Sequence, residues 1–141
     1  MWGAMSQATP QFYASLSVAL GGGLGAFLRY QAGRAVTAWL GAPAVTFFPW
    51  ATLTVNTVGS VLMGVLAGWL VRSGGANSDQ LRLLLGVGLL GGFTTFSAFS
   101  LEMALLIQRG QVLIAALYVM LSIGLGVTGL IFGLSLTRLF S

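Results

Sequence analysis

The chain has 141 residues, 57% of them hydrophobic and only 6% charged, with a mean hydropathy of +0.95, which points to an integral membrane protein rather than a soluble domain. It contains no Cys and no His, which excludes a disulfide framework, a Cys/His zinc site and imidazole acid–base chemistry. The net charge of +4 comes from six arginines set singly along the chain against Asp79 and Glu102, so no clustered basic face is available to follow a nucleic acid.

Residues 1–11 are small and polar and read as a frayed terminus closed by Pro10. No charged side chain precedes Arg29, so the first apolar segment lacks the positive flank of a signal peptide and is expected to remain as a span, over about residues 12–38. Gly21 and Gly25, and likewise Gly22 and Ala26, stand four apart, a spacing that lets a second helix backbone approach closely. Arg29 falls near the far interface. It is read either as a snorkelling anchor or as a guanidinium in an aqueous vestibule that draws anions to a pathway.

Gly41, Pro43 and Pro49 break the connection over residues 39–50, with Phe47 and Phe48 as interfacial aromatics. A second span follows over residues 50–71, with Ser60, Gly64 and Gly68 as its small-residue stripe. Asn56 is the polar exception in it. A carboxamide in hydrocarbon must find partners, so Asn56 either bonds a neighbouring helix or turns its N–H groups to a permeating anion, with Thr52 one turn earlier on the same face.

After a polar, Gly-rich loop between Arg72 and Arg82, the third span covers residues 83–107. Residues 88–102 within it hold three glycines, adjacent Thr94 and Thr95, two serines and Glu102, which is poor material for a lipid-facing helix. An interruption over residues 91–95 at mid-membrane is expected, since irregular backbone survives at that depth only where protein or a cavity shields it. Phe93, Phe96 and Phe99 recur at three-residue spacing, and paired ring edges carry the positive part of the aromatic quadrupole. Residues 108–111 form a tight turn. The fourth span covers residues 112–137, with Tyr118 one turn before Ser122 and with Gly129 and Gly133 at the small-residue spacing. The whole chain thus reads as one all-α domain of four transmembrane helices, residues 1–141, with the third helix broken.

Four spans put Arg72, Arg82 and Arg138 on one side and Arg29, Arg34 and Arg109 on the other. The positive-inside rule needs an excess of cationic residues on one side to set orientation, and here the two sides balance. The expectation is insertion both ways up and an antiparallel, dual-topology homodimer. Two interrupted third spans would then meet at mid-depth, and their freed carbonyls could bind a small hard cation such as Na⁺; the alternative is a kink whose carbonyls are satisfied within the chain.

Gly22-Gly-Leu-Gly-Ala-Phe-Leu-Arg29-Tyr30, Thr52-Leu-Thr-Val-Asn56-Thr-Val-Gly59 and Gly88-Leu-Leu-Gly91-Gly-Phe-Thr94-Thr-Phe96-Ser-Ala-Phe99-Ser-Leu-Glu102 together resemble the three signature segments of the CrcB/Fluc fluoride channels. The match runs in order over nearly the whole chain. It implies a non-enzymatic, fluoride-selective channel that exports cytoplasmic F⁻ passively across the bacterial inner membrane and so lowers fluoride toxicity. It also implies an antiparallel dimer with two pores and a structural Na⁺ at its centre. By position, the backbone carbonyls of Gly91 and Thr94 would ligate Na⁺, Phe96 and Phe99 would be the ring pair, and Asn56 the pore asparagine. Tyr118 and Ser122 would continue the polar track, with Thr52 and Glu102 near it and Arg29 at the vestibule. Two positions depart from the pattern: Ala98 stands where the family usually has Thr, and Gly126 where some members have Ser, so two hydroxyls of the track are missing.

Two rivals make different demands. A proton-coupled multidrug transporter of the small four-span kind needs a carboxylate near the bilayer centre early in the chain, and the first span has none. A non-transporting assembly subunit would need only the small-residue stripes, and leaves Asn56, Thr94, Thr95, Phe96 and Phe99 without a purpose.

Overall fold

The computed structural model describes residues 3–75 and 77–139; Met1, Trp2 and Ala76, which belong to segments read above as terminus and loop, lie outside them. The described chain is all-α. Its elements are α1 (Gly3–Leu40), α2 (Ala42–Phe47), α3 (Trp50–Ser73), α4 (Ser78–Leu81), a π-helical stretch (Arg82–Leu90), α5 (Gly91–Phe93), α6 (Phe96–Gln108) and α7 (Val112–Leu139). Four stretches are long and apolar enough to cross a bilayer: Pro10–Leu40, Trp50–Ser73, Ser78–Gln108 and Val112–Leu139. The molecule is a multi-pass membrane protein.

Several local expectations are corrected. Pro10 does not close a frayed terminus but sits inside α1. Its ring holds a helical φ and removes one N–H donor from the helix. The connection after α1 is folded: Gly41, at φ 86°, receives the end of α1, and Pro43 opens α2 at a position where its missing N–H is not needed. Phe47 is exposed, but Phe48 is buried rather than interfacial. The extended backbone that ends α2 turns Phe48 inward among Leu53, Leu106, Ala115 and Tyr118.

Close helix approach at glycines sets the architecture. On α3 and α7, a Cβ at Gly64 would run into the Leu130 carbonyl, one at Gly133 into the Val61 carbonyl, and one at Gly68 into the Thr137 side chain. On α1 and the third span, Gly21 faces the backbone at Leu84, Gly88 and Leu89, Gly25 faces Leu89 and Phe93, and Gly92 faces Gly22. Without a hydrophobic drive between helices in lipid, such backbone contact supplies the dispersion energy that holds them.

The same pairings give direction. Val61 with Gly133 and Gly68 with Thr137 run parallel, as do Val18 with Gly88 and Gly25 with Phe93. Gly59 with Thr94 and Gly86 with Leu66 run antiparallel. The spans therefore alternate in direction, with Arg29, Arg34 and Arg109 toward one end and Arg72, Arg82 and Arg138 toward the other.

Candidate functional site

The third span departs from helical geometry over a shorter stretch than residues 91–95. Gly91, Gly92 and Phe93 are helical, and only Thr94 (φ −80°, ψ 160°) and Thr95 (φ −151°, ψ 119°) are extended before α6 starts. Glycine in a helix costs about 1 kcal/mol relative to Ala. At Gly92 the seat against Gly22 admits no side chain, so the helical turn and its packing go together.

Asn56 fixes the extended pair. Its Oδ1 accepts from the Thr95 backbone N–H at 2.7 Å, and its Nδ2 donates to the Thr95 carbonyl at 3.0 Å. Because a peptide N–H can meet only an acceptor and its C=O only a donor, this two-point contact fixes which way the carboxamide faces. The side chain joins α3 to the third span, and one N–H of its amide remains for a further acceptor. Ser60, one turn on, donates to the Asn56 carbonyl at 2.8 Å.

Two donors are thereby redirected. In a continuous helix the Thr95 N–H would go to the Gly91 carbonyl and the Ala98 N–H to the Thr94 carbonyl. Here Asn56 Oδ1 takes the first and Thr95 Oγ1, capping α6, takes the second at 3.2 Å. The Gly91 and Thr94 carbonyls are left without their ordinary helical partners, and Gly91 lies on the exposed surface of the single chain.

Beside the extended pair an open groove of about 350 Å³ is lined by Asn56, Ser60, Thr94, Thr95, Phe96, Phe99 and Ser122 among others. The Phe96 and Phe99 ring centroids are 5.7 Å apart at 38°, within aromatic contact distance. Phe99 continues to Tyr118 at 5.1 Å. Phe96 is 78% exposed, so its ring has an open face in the lone protomer.

A second cluster surrounds the embedded carboxylate. Thr52 donates to Glu102 Oε1 and Tyr118 to Glu102 Oε2, each at 2.6 Å, the length of a hydroxyl-to-carboxylate bond. Tyr118 is fully buried and Thr52 nearly so. On the other side of Thr52 a cavity of about 370 Å³ holds Arg29, Tyr30, Thr95 and Ala98. Arg29 thus shares a cavity with Thr52 and Thr95, whereas Arg34 lies over the Tyr30 ring at 5.9 Å.

The residues singled out in the sequence fall into two groups joined at Thr95: Asn56, Thr94, Phe96, Phe99 and Ser122 on the groove, and Thr52, Glu102 and Tyr118 around the carboxylate, with Arg29 in the cavity beside Thr52. A Cβ at Gly126 would lie at ordinary contact distance, 3.7 Å, from the Ser60 hydroxyl, so a side chain has room there. Thr95, marked in the sequence as half of the Thr94–Thr95 pair, binds Asn56 and lines both cavities. Two residues were not picked out for the site: Ser60 lies one turn after Asn56 in the groove, and Arg109 lines a cavity with Glu102. Helical spacing held the signal for both, four residues from Asn56 and seven from Glu102.

The sequence profile described as CrcB-like protein, Camphor Resistance (CrcB) matches residues 16–134. This chain belongs to the CrcB family. A relative from Erythrobacter litoralis is 61% identical over 132 residues, covering 94% of this chain and 97% of its own. Another, from Novosphingobium aromaticivorans, is 64% identical over 125 residues, or 89% and 96% of the two chains. A third, from Rhodospirillum centenum, is 54% identical over 127 residues, or 87% and 94%. All three carry the name Fluoride-specific ion channel FluC. The matched span of this CrcB chain takes in both side-chain clusters and, apart from the Gly68–Thr137 contact, the small-residue contacts between helices.

Proposed function

We propose that this protein is a passive fluoride channel: F⁻ leaves the cytoplasm down its electrochemical gradient along a track walled by Asn56, Phe96, Phe99 and Ser122. Neutral HF crosses bilayers and ionises inside, so a pore for the trapped anion lowers its concentration without an energy source. The observation that carries the reading is the groove itself, where Asn56, Phe96, Phe99 and Ser122 line one surface and the Asn56 amide has a second N–H beyond the one it gives to Thr95. Such weak donors suit an anion that must bind and also leave. Full-length similarity to proteins named for fluoride-specific conduction supports it.

The working unit in this proposal is an antiparallel homodimer with two tracks, its partners being F⁻, a second copy and the lipid bilayer. The equal arginine distribution, three toward each end, gives neither orientation an advantage. The uncovered face of Phe96 and the exposed Gly91 are surfaces that a second copy would cover. The third span is then a helix broken at mid-membrane, with its break facing the partner.

A central Na⁺ fits the residues present. Hard cations take oxygen ligands, and the Gly91 and Thr94 carbonyls are oxygens whose helical donors have gone elsewhere. Bound there, Na⁺ would supply positive charge to hold carbonyls of two chains together. Thr52, Glu102 and Tyr118 continue the track from the groove, and Arg29 raises local anion concentration at its vestibule.

Purified protein in liposomes loaded with KF, with a K⁺ shunt and an external fluoride electrode, tests the proposal. Efflux of F⁻ with little Cl⁻ efflux, independent of a proton gradient, is expected, and replacing Na⁺ by a bulky organic cation should slow it. Absence of F⁻ efflux, or equal Cl⁻ efflux, overturns the function; unchanged efflux in Na⁺-free protein overturns the cation site.

A further inference from the structure

The carboxylate of Glu102 poses an electrostatic problem for a path that carries an anion. A negative charge beside the track repels F⁻, and neither hydroxyl that bonds Glu102 brings a positive charge to offset it. On the side of Glu102 away from the ring pair lies a further cavity of about 180 Å³, lined by Val45 and Thr46 of α2, Pro49, Ala51, Glu102 and Arg109. Arg109 ends α6 at the turn into α7, seven residues or two turns after Glu102, so the two share a helix face. No hydrogen bond or ion pair engages its guanidinium among the described residues.

This cavity adjoins the Arg29 cavity. Ala51 lines both, and the Thr52–Glu102 hydrogen bond lies between them, with Thr52 on the wall of one and Glu102 on the wall of the other. Ala51 and the Thr52–Glu102 pair therefore stand on the walls where the two spaces come together.

We infer that the cavity walled by Thr46, Glu102 and Arg109 is an outer mouth of the anion path, and that Arg109 is the positioning residue that offsets the Glu102 charge for an anion passing there. The inference rests on the fluoride reading above. With Arg109 the mouth holds one acid and one base; without it the mouth is net negative, and an approaching anion meets an uncompensated carboxylate. Arg109 acts on the anion through the field, so Lys should serve nearly as well and the effect on flux should fade as salt screens it.

Liposome efflux of Arg109→Gln, Arg109→Lys and wild type, at low and high ionic strength, tests this. At about 10 mM salt, where screening extends over roughly 30 Å, Arg109→Gln should conduct F⁻ about three- to tenfold more slowly than wild type, and Arg109→Lys within about twofold. At about 1 M salt, where the screening length is roughly 3 Å, the rates should converge. Arg82→Gln, an exposed partner of Asp79 that lines none of these cavities, should match wild type throughout. Equal rates for Arg109→Gln and wild type at low salt, a deficit that persists at high salt, or failure of Lys to rescue would overturn the role of Arg109 while leaving the channel itself intact. A wild-type protein that passes no F⁻ would instead remove the reading on which the role depends.

Discussion

Asn56 carries two duties through one side chain, and its amide geometry makes them separable. Its oxygen and one N–H hold Thr95 in an extended conformation, and the other N–H is free to face the groove. Asn56→Asp keeps the shape but sets an acceptor against the Thr95 carbonyl and places negative charge beside the track. Fluoride efflux should fall by about tenfold or more, since a lost hydrogen bond to a buried partner and a repelled anion each cost on the order of 1–3 kcal/mol. Phe96→Ile replaces the ring by an aliphatic side chain that keeps an apolar surface toward a second copy, and Phe96, 78% exposed, contributes little to the fold of one chain. Its efflux should drop while size-exclusion elution in detergent stays that of wild type. Full activity in both variants would remove these side chains from the path.

Among the helices, the decisive contacts are those where nothing larger than hydrogen fits. Gly133 on α7 sits against the Val61 carbonyl and the Val65 N–H of α3, both backbone atoms that cannot swing aside. Gly133→Val should therefore part α3 from α7 and lower stability by about 1–3 kcal/mol, read as a lower melting temperature in detergent. Gly124 has open space around it, so Gly124→Ala on the same helix should leave the melting temperature unchanged or slightly higher. Equal melting of Gly133→Val and wild type would mean that α3 and α7 are held by other contacts. The stripes of glycine four apart were legible in the sequence, but spacing alone could not say that α3 pairs with α7 and α1 with the third span. That choice depends on which backbones can approach over their full length, a property of two helices together.

At the scale of the whole molecule, charge balance governs how the chain meets the membrane. Alternating spans place three arginines toward each end, and an insertion machinery that reads cationic bias finds none. Because the protein has no cysteine, Asn77→Cys in the exposed loop after α3 gives a clean single label. Membrane-impermeant maleimide should react from outside with about half of the molecules, and with the rest only after the membrane is opened. Labelling from one side alone would mean a fixed orientation and would end the antiparallel dimer.

Composition and run length by themselves determined that this is an all-α, four-span membrane protein, because hydrocarbon admits few ways to satisfy a backbone and each span must be long and apolar. The polar exceptions Asn56, Glu102, Thr94 and Thr95 were equally visible, since each is conspicuous against an apolar background. Only the tertiary structure decided their partners: Asn56 with the Thr95 peptide, Glu102 between Thr52 and Tyr118, and Phe48 inward on Tyr118. It also limited the extended backbone to two residues, with Gly92 before them packed as helix against Gly22 of α1. The physical reason is that burial in a bilayer obliges every polar group to find a partner, a demand written in the sequence, whereas which partner lies within 3 Å depends on helices distant in sequence meeting at a particular depth and rotation.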